Sequence, residues 1–172
     1  MKRNHVKKLV FTALFTALIV VATAFVAIPL PLGGYVHLGD AFLFLATFIL
    51  GPVYGVIASG LGSMLADLIG YPTYALATLI IKALMSLIAY LFYYLLRKTT
   101  KKNVLAEIIA GIIASLFMAL GYFAFEAVLY GTFTVAINIP WNILQGAVGV
   151  AIAVSIMRLL EKTKIIRMLK DE

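Results

Sequence analysis

The basic residues of this chain gather in three places, and long apolar runs fill the intervals between them. Of the 14 Lys and Arg residues, Lys2, Arg3, Lys7 and Lys8 form the first group. Arg97, Lys98, Lys101 and Lys102 form the second, and Arg158, Lys162, Lys164, Arg167 and Lys170 the third. Lys82 alone stands inside an apolar run. With 12% charged and 64% hydrophobic residues, a water-soluble globule of 172 residues would have too little charge to cover its surface. The expectation is an all-α integral membrane protein. Basic clusters beside membrane segments stay on the cytoplasmic side, which places both termini and the loop around 97–103 there. The net charge of +7 is then an anchor to the membrane face, and no nucleic-acid partner is expected.

The apolar runs cover about 6–28, 38–50, 52–69, 75–96, 104–130 and 135–160. Four of them exceed the ~20 residues that cross a hydrocarbon core. The run at 52–69 is barely long enough, and 38–50 is too short unless sequence from Leu30 onward also enters the membrane. A six-transmembrane-helix bundle, N- and C-termini cytoplasmic, accommodates all three basic clusters. Four helices plus a re-entrant hairpin at Gly51-Pro52 give the same orientation; six is the preferred reading. Met1-Lys2-Arg3 followed by an apolar run to Ala22-Thr23-Ala24 resembles a cleavable secretory signal. Apolar sequence continues to Ile28, however, so a retained first helix is expected. No internal repeat or soluble domain interrupts residues 1–172, which read as a single membrane domain.

Several chemistries are absent. Without cysteine there is no disulfide framework, thiolate catalysis or Cys-ligated metal. No P-loop is present, so ATP hydrolysis is not expected in this chain. His5 and His37 fall on opposite sides of the membrane and cannot share a metal. The chain is expected not to be an enzyme.

An ionised side chain at a helix centre costs about 2.5–3.5 kcal/mol on insertion scales, so it needs a partner or a wet cavity. Asp40, Asp67, Lys82 and Glu126 all fall in the outer half of the predicted bundle. Periodicity turns them inward. Gly51, Gly55, Ser59, Ser63 and Asp67 form an i, i+4 stripe; Thr78, Lys82 and Ser86 share a face. Gly111, Ser115, Ala119 and Glu126 line another, and Asn138, Asn142, Gln145 and Gly149 a fourth, with Trp141 beside them. Each residue also has a plainer role available, as one half of a buried pair or an interhelical hydrogen bond. Their convergence on one level is what suggests a binding site. The outer loops Pro29–His37, Gly70–Tyr74 and Gly131–Phe133 add aromatic residues, as interfacial anchors or as stacking walls for a flat ligand. The glycines of the first loop would let it act as a lid, and His37 is a candidate for pH sensing or a ligand hydrogen bond. The candidate substrate-binding set is Tyr35, His37, Tyr74, Lys82, Glu126, Asn138, Trp141 and Asn142, with Asp40 and Asp67 as structural or gating groups.

Four stretches together are similar to a known family: His37-Leu38-Gly39-Asp40-Ala41, Leu50-Gly51-Pro52-Val53-Tyr54-Gly55, Gly60-Leu61-Gly62-Ser63-Met64-Leu65-Ala66-Asp67 and Ala77-Thr78-Leu79-Ile80-Ile81-Lys82. They resemble the substrate-binding S components of energy-coupling factor (ECF) vitamin transporters, most of all the hydroxymethylpyrimidine/pyridoxine branch. The resemblance implies a subunit that captures a B-vitamin or precursor from outside and delivers it inward. It implies association with a membrane T component and two cytoplasmic ATPase subunits, which would carry ATP and Mg; no cofactor is expected in this chain. It implies a multi-pass protein of the bacterial cell membrane. Ala13 and Ala17 match the family's small-residue contact with the T component. Riboflavin, thiamine or pantothenate remain alternative ligands. Two rival readings stand beside this one. An autonomous ion- or proton-coupled transporter would use Asp40, Asp67, Lys82 and Glu126 as a relay, and a purely structural subunit would leave the pocket without a ligand.

Overall fold

The computed structural model describes residues 2–30, 35–100, 103–131 and 133–163. The expectations placed on Pro31–Gly34, Lys101, Lys102, Thr132 and the C-terminal cations Lys164, Arg167 and Lys170 lie outside the described residues. Helix α1 (Lys2–Ala24) leads into a two-stranded antiparallel hairpin, β1 (Ala27–Pro29) and β2 (Tyr35–His37). Helices α2 (Gly39–Gly70), α3 (Ala75–Thr99), α4 (Asn103–Tyr130) and α5 (Ile139–Glu161) follow, with 3-10 turns at Pro72–Tyr74 and Phe133–Asn138. Five helices, counted with those turns, are long and apolar enough to cross a membrane.

One expectation is corrected here. The first helix stops at Ala24, not Ile28, because Ala27, Ile28 and Pro29 pair with His37, Val36 and Tyr35. Val, Ile and Tyr suit the extended backbone, and Pro29 is tolerated on an edge strand. The runs 38–50 and 52–69 part at Gly51, at the Gly51-Pro52 break expected between them. Gly51 has φ 80° and ψ −172°, a conformation open essentially to glycine alone. That residue reverses the chain. A Cβ on Gly55 would come within 2.8 Å of the Thr47 Cα, eight positions back, where a straight helix would hold the two about 12 Å apart. The arms 39–50 and 52–70 therefore lie against one another.

The first arm is the centre of the molecule. Almost every residue from Gly39 to Phe48 is buried, including Leu43, Phe44 and Thr47. A helix apolar on all sides belongs inside, and its shortness is no difficulty when protein surrounds it. Ile19 of α1, Met85 of α3, Met118 of α4 and Ala153 of α5 complete the core. Ile19 and Thr23 are almost wholly buried, so the first helix is part of the packed bundle. Three threonine hydroxyls in the apolar runs are satisfied locally: Thr12 donates to Lys8 O at 2.7 Å, Thr16 to Thr12 O at 2.8 Å, and Thr47 to Leu43 O at 2.8 Å. The small-residue stripe is buried at Gly55, Ser59, Ser63 and Asp67, as the i, i+4 spacing predicts.

Candidate binding cavity

At the end of the bundle carrying β1 and β2, side chains from β2, α2, α3, α4 and α5 close around a small polar cavity. Its walls are Leu30, Tyr35, His37, Asp67, Tyr74, Thr78, Tyr122, Glu126, Asn142 and Gln145. The open volume is about 20 Å³, room for roughly one water molecule. Asp67 comes from the end of the second α2 arm and accepts a hydrogen bond from the Tyr35 hydroxyl. Across the cavity, Glu126 accepts from Asn138 Nδ2 at 3.0 Å and, at a longer 3.4 Å, from the Tyr74 hydroxyl. Tyr74 lies 3.0 Å from the Tyr130 hydroxyl, and Tyr122 3.0 Å from Thr78. No Lys or Arg stands among the described wall residues.

Lys82 is elsewhere. Its ammonium donates to Asp40 Oδ1 at 2.5 Å, lies 2.8 Å from the Met118 sulfur and sits 5.6 Å from the centroid of the Tyr122 ring. Both members of the pair are essentially fully buried. The second Asp40 oxygen accepts from Gln145 Nε2 at 2.7 Å, and Gln145 Oε1 accepts from the His37 backbone N–H at 2.9 Å. A continuous chain of polar contacts thus joins the hairpin to the ion pair beside the cavity. His37 Nδ1 accepts from the Gly39 N–H at 3.0 Å. Burial first, and the Lys82 ammonium second, push the His37 imidazole down to about 3, so the ring is neutral at physiological pH. That corrects the expectation of His37 as a pH sensor. The Tyr35 phenol is raised far above its ordinary value, by burial first and then by Asp67, and remains an O–H donor.

Of the residues singled out from sequence, Tyr35, His37, Tyr74, Glu126, Asn142 and Asp67 therefore meet at the cavity. Asn138 stands behind Glu126 rather than in the wall, and Asp40 and Lys82 brace one another. Trp141 lies outside the cavity wall. It is 46% exposed and lines an apolar groove of about 530 Å³ with Val26, Ile28, Leu144 and Val148, which shares Leu30, His37 and Gln145 with the cavity. One residue of helix turns a side chain through about 100°, so Trp141 leaves the face that Asn142 occupies. Tyr122 was not named from the sequence, and Thr78 only as sharing a face with Lys82. Tyr122 lies four residues before Glu126, so the same spacing rule would have found it. Asn142 is 4% exposed and makes no hydrogen bond with any described residue; its amide is open to the cavity. Ala13 and Ala17 are exposed on the outer face of α1, opposite the buried Phe15 and Ile19.

At the other end of the bundle Glu107 accepts from Arg158 Nη2 at 2.6 Å, which ties α4 to α5. Nineteen residues of α4, about 28 Å of helix, separate this carboxylate from Glu126.

The family model for the S component of ECF-type riboflavin transporters matches residues 3–162. An uncharacterised protein of Pyrococcus woesei, from a gap 3' region, is 35% identical over 84% of this chain and 95% of its own length. A Lactococcus lactis protein described as the thiamine precursor transporter HmpT is 28% identical over 96% of this chain and 95% of its own. A solved structure of the S component of a bacterial ECF transporter superposes with a TM-score of 0.70. It has 26% identity, covering 92% of this chain and 97% of the other.

Proposed function

The chain belongs to the ECF-type riboflavin transporter S-component family, and from that premise we propose that its cavity captures one neutral B-vitamin or precursor, hydroxymethylpyrimidine or pyridoxine in preference to riboflavin. Asn142 carries the reading. A carboxamide that is nearly buried yet has no partner among the described residues is costly unless a ligand or water meets it, and it offers both a donor and an acceptor. Asp67, Glu126 and Gln145 add hydrogen-bonding groups suited to the ring nitrogens, hydroxyls and amino groups of a pyrimidine or pyridine. The Lactococcus relative, described as transporting a thiamine precursor, supports the smaller ring.

Delivery inward takes place in a complex with a membrane T component and two ATPase subunits, Ala13 and Ala17 meeting the T component. Both termini face the cytoplasm, and the two arms of α2 each traverse the bundle, giving six passes through the cell membrane. The hydrogen bond of 3.1 Å between His5, near the N-terminus, and Tyr54, just past the reversal at Gly51, supports this: the fold-back reaches the end opposite the cavity. A relay through Asp40 and Lys82 draws less support, because each is the other's partner. The test is equilibrium binding of pyridoxine, hydroxymethylpyrimidine, riboflavin, thiamine and pantothenate to the detergent-purified chain. Saturable one-to-one binding of one small ring is expected; silence across all five would remove the proposal.

A further inference from the structure

Tyr35 fills the cavity that it helps to wall. Its ring centroid lies 4.4 Å from that of Tyr71 with 15° between the planes, a stacked pair. Its hydroxyl donates to Asp67, and the His37 ring is tilted against it at 5.3 Å. A flat six-membered ring with a hydrogen-bond donor on its edge is therefore already in place on an aromatic face and a buried carboxylate. The remaining 20 Å³ or so takes about one water and cannot take a second ring. β2 is held at its His37 end by Gln145, whereas the Tyr35 end pairs only with β1, which is exposed at every position.

We infer that Tyr35 holds the place of the ligand's ring, and that binding displaces it, stacks the ligand on Tyr71 and gives Asp67 a donor from the ligand's edge. This rests on the vitamin-binding reading and deepens it. The ligand class follows from the walls. It is a flat aromatic heterocycle carrying an exocyclic hydroxyl or amino donor. It bears no phosphate or carboxylate, since Asp67 and Glu126 face the cavity and no described Lys or Arg does. Asn142, nearly buried and without a hydrogen bond to any described residue, independently marks the cavity as a place where a polar ligand atom is met. Tyr35 is on this account a competitor of the ligand, and Tyr71, outside the cavity wall itself, is a ligand contact.

The two roles of Tyr35 differ in sign, which makes them separable. Isothermal titration calorimetry in detergent would use hydroxymethylpyrimidine, pyridoxine and pyridoxine phosphate on the native chain, Tyr35→Phe and Asp67→Asn. Tyr35→Phe keeps the ring and loses only the bond to Asp67, so the occluded population falls and affinity for a neutral ring should rise about fivefold or more. Asp67→Asn, checked for an unchanged melting temperature, should weaken binding about tenfold or more. The phosphate ester should not bind. Unchanged or weaker binding by Tyr35→Phe while the native chain binds would overturn the displacement alone. Equal binding of the phosphate ester would overturn the ligand class. Absence of binding by both the native chain and Tyr35→Phe would remove the vitamin-capture reading, and this inference with it.

Discussion

Asp40 and Lys82 form an ion pair in which each side chain is all but fully buried, and neither faces the cavity. Removing one partner leaves an uncompensated charge in an apolar interior. Lys82→Met alone should therefore lower stability by about 3–5 kcal/mol. The double variant Asp40→Leu/Lys82→Met should recover most of that loss, as read from thermal denaturation in detergent. Recovery on that scale would identify a brace; no recovery, together with lost ligand binding, would mean that the pair also serves the ligand. His37 gives a pH expectation with a definite sign. Its imidazole titrates near 6.5 in the unfolded chain and at about 3 in the folded one. Between those values only the unfolded chain takes up the proton. Stability owed to this group is thus constant above about pH 6.5 and falls as pH drops toward 3. The melting temperature of His37→Asn, compared with the native chain across that window, should show a shallower acid decline. The identities of these residues were legible from sequence, since a charge in an apolar run demands a partner. Which partner each had chosen was not, because Asp40, Lys82 and Gln145 lie far apart in sequence and pair only through the tertiary fold.

At the scale of the helices, Gly51 decides the layout. A Cβ there would touch nothing closer than Tyr90 at 3.9 Å, so its substitution is opposed by backbone conformation and not by crowding. Gly51→Ala should cost about 1–3 kcal/mol. Gly55→Ala should cost through a different route, by prising apart two backbones that approach where the arms cross. Thermal denaturation of the two variants separates these causes: an added Gly55→Ala change should spread the arms and open new proteolytic sites, whereas Gly51→Ala should destabilise without moving them. The break at Gly51-Pro52 was visible in the sequence as a Gly-Pro punctuation between apolar runs. The strand pairing of Ala27–Pro29 with Tyr35–His37 was not. Three-residue strands carry too little alternation to stand out against an apolar helix that runs directly into them.

Over the whole molecule, the polar cavity and the clustered cations lie at opposite ends. The cavity, the hairpin and Glu126 mark one end; Glu107, Arg158 and the cations after Leu96 mark the other. Because the chain has no cysteine, single cysteines report orientation without background. A cysteine at the exposed Thr73 should react with an impermeant maleimide from outside intact cells, and one at the exposed Thr99 only after permeabilisation. The opposite pattern would invert the bundle and place the cavity on the wrong side for uptake. The long apolar helices and their inward faces followed from hydropathy and spacing, because lipid imposes both; six was the expected number of passes, and five helices are long and apolar enough to cross. The closure of the cavity by Tyr35 did not, because it depends on how a hairpin outside the helices is folded back over them.

The proposed capture of a ligand at this cavity turns on Asn142, whose amide meets no described protein group. The deciding measurement is the affinity of Asn142→Ala for whichever compound the native chain binds, taken alongside its melting temperature. Since no hydrogen bond to a described residue is lost, the melting temperature should stay within a degree or two of native, while affinity should fall about tenfold or more. A variant that binds as tightly as the native chain but melts well below it would make Asn142 a structural residue and move the ligand elsewhere.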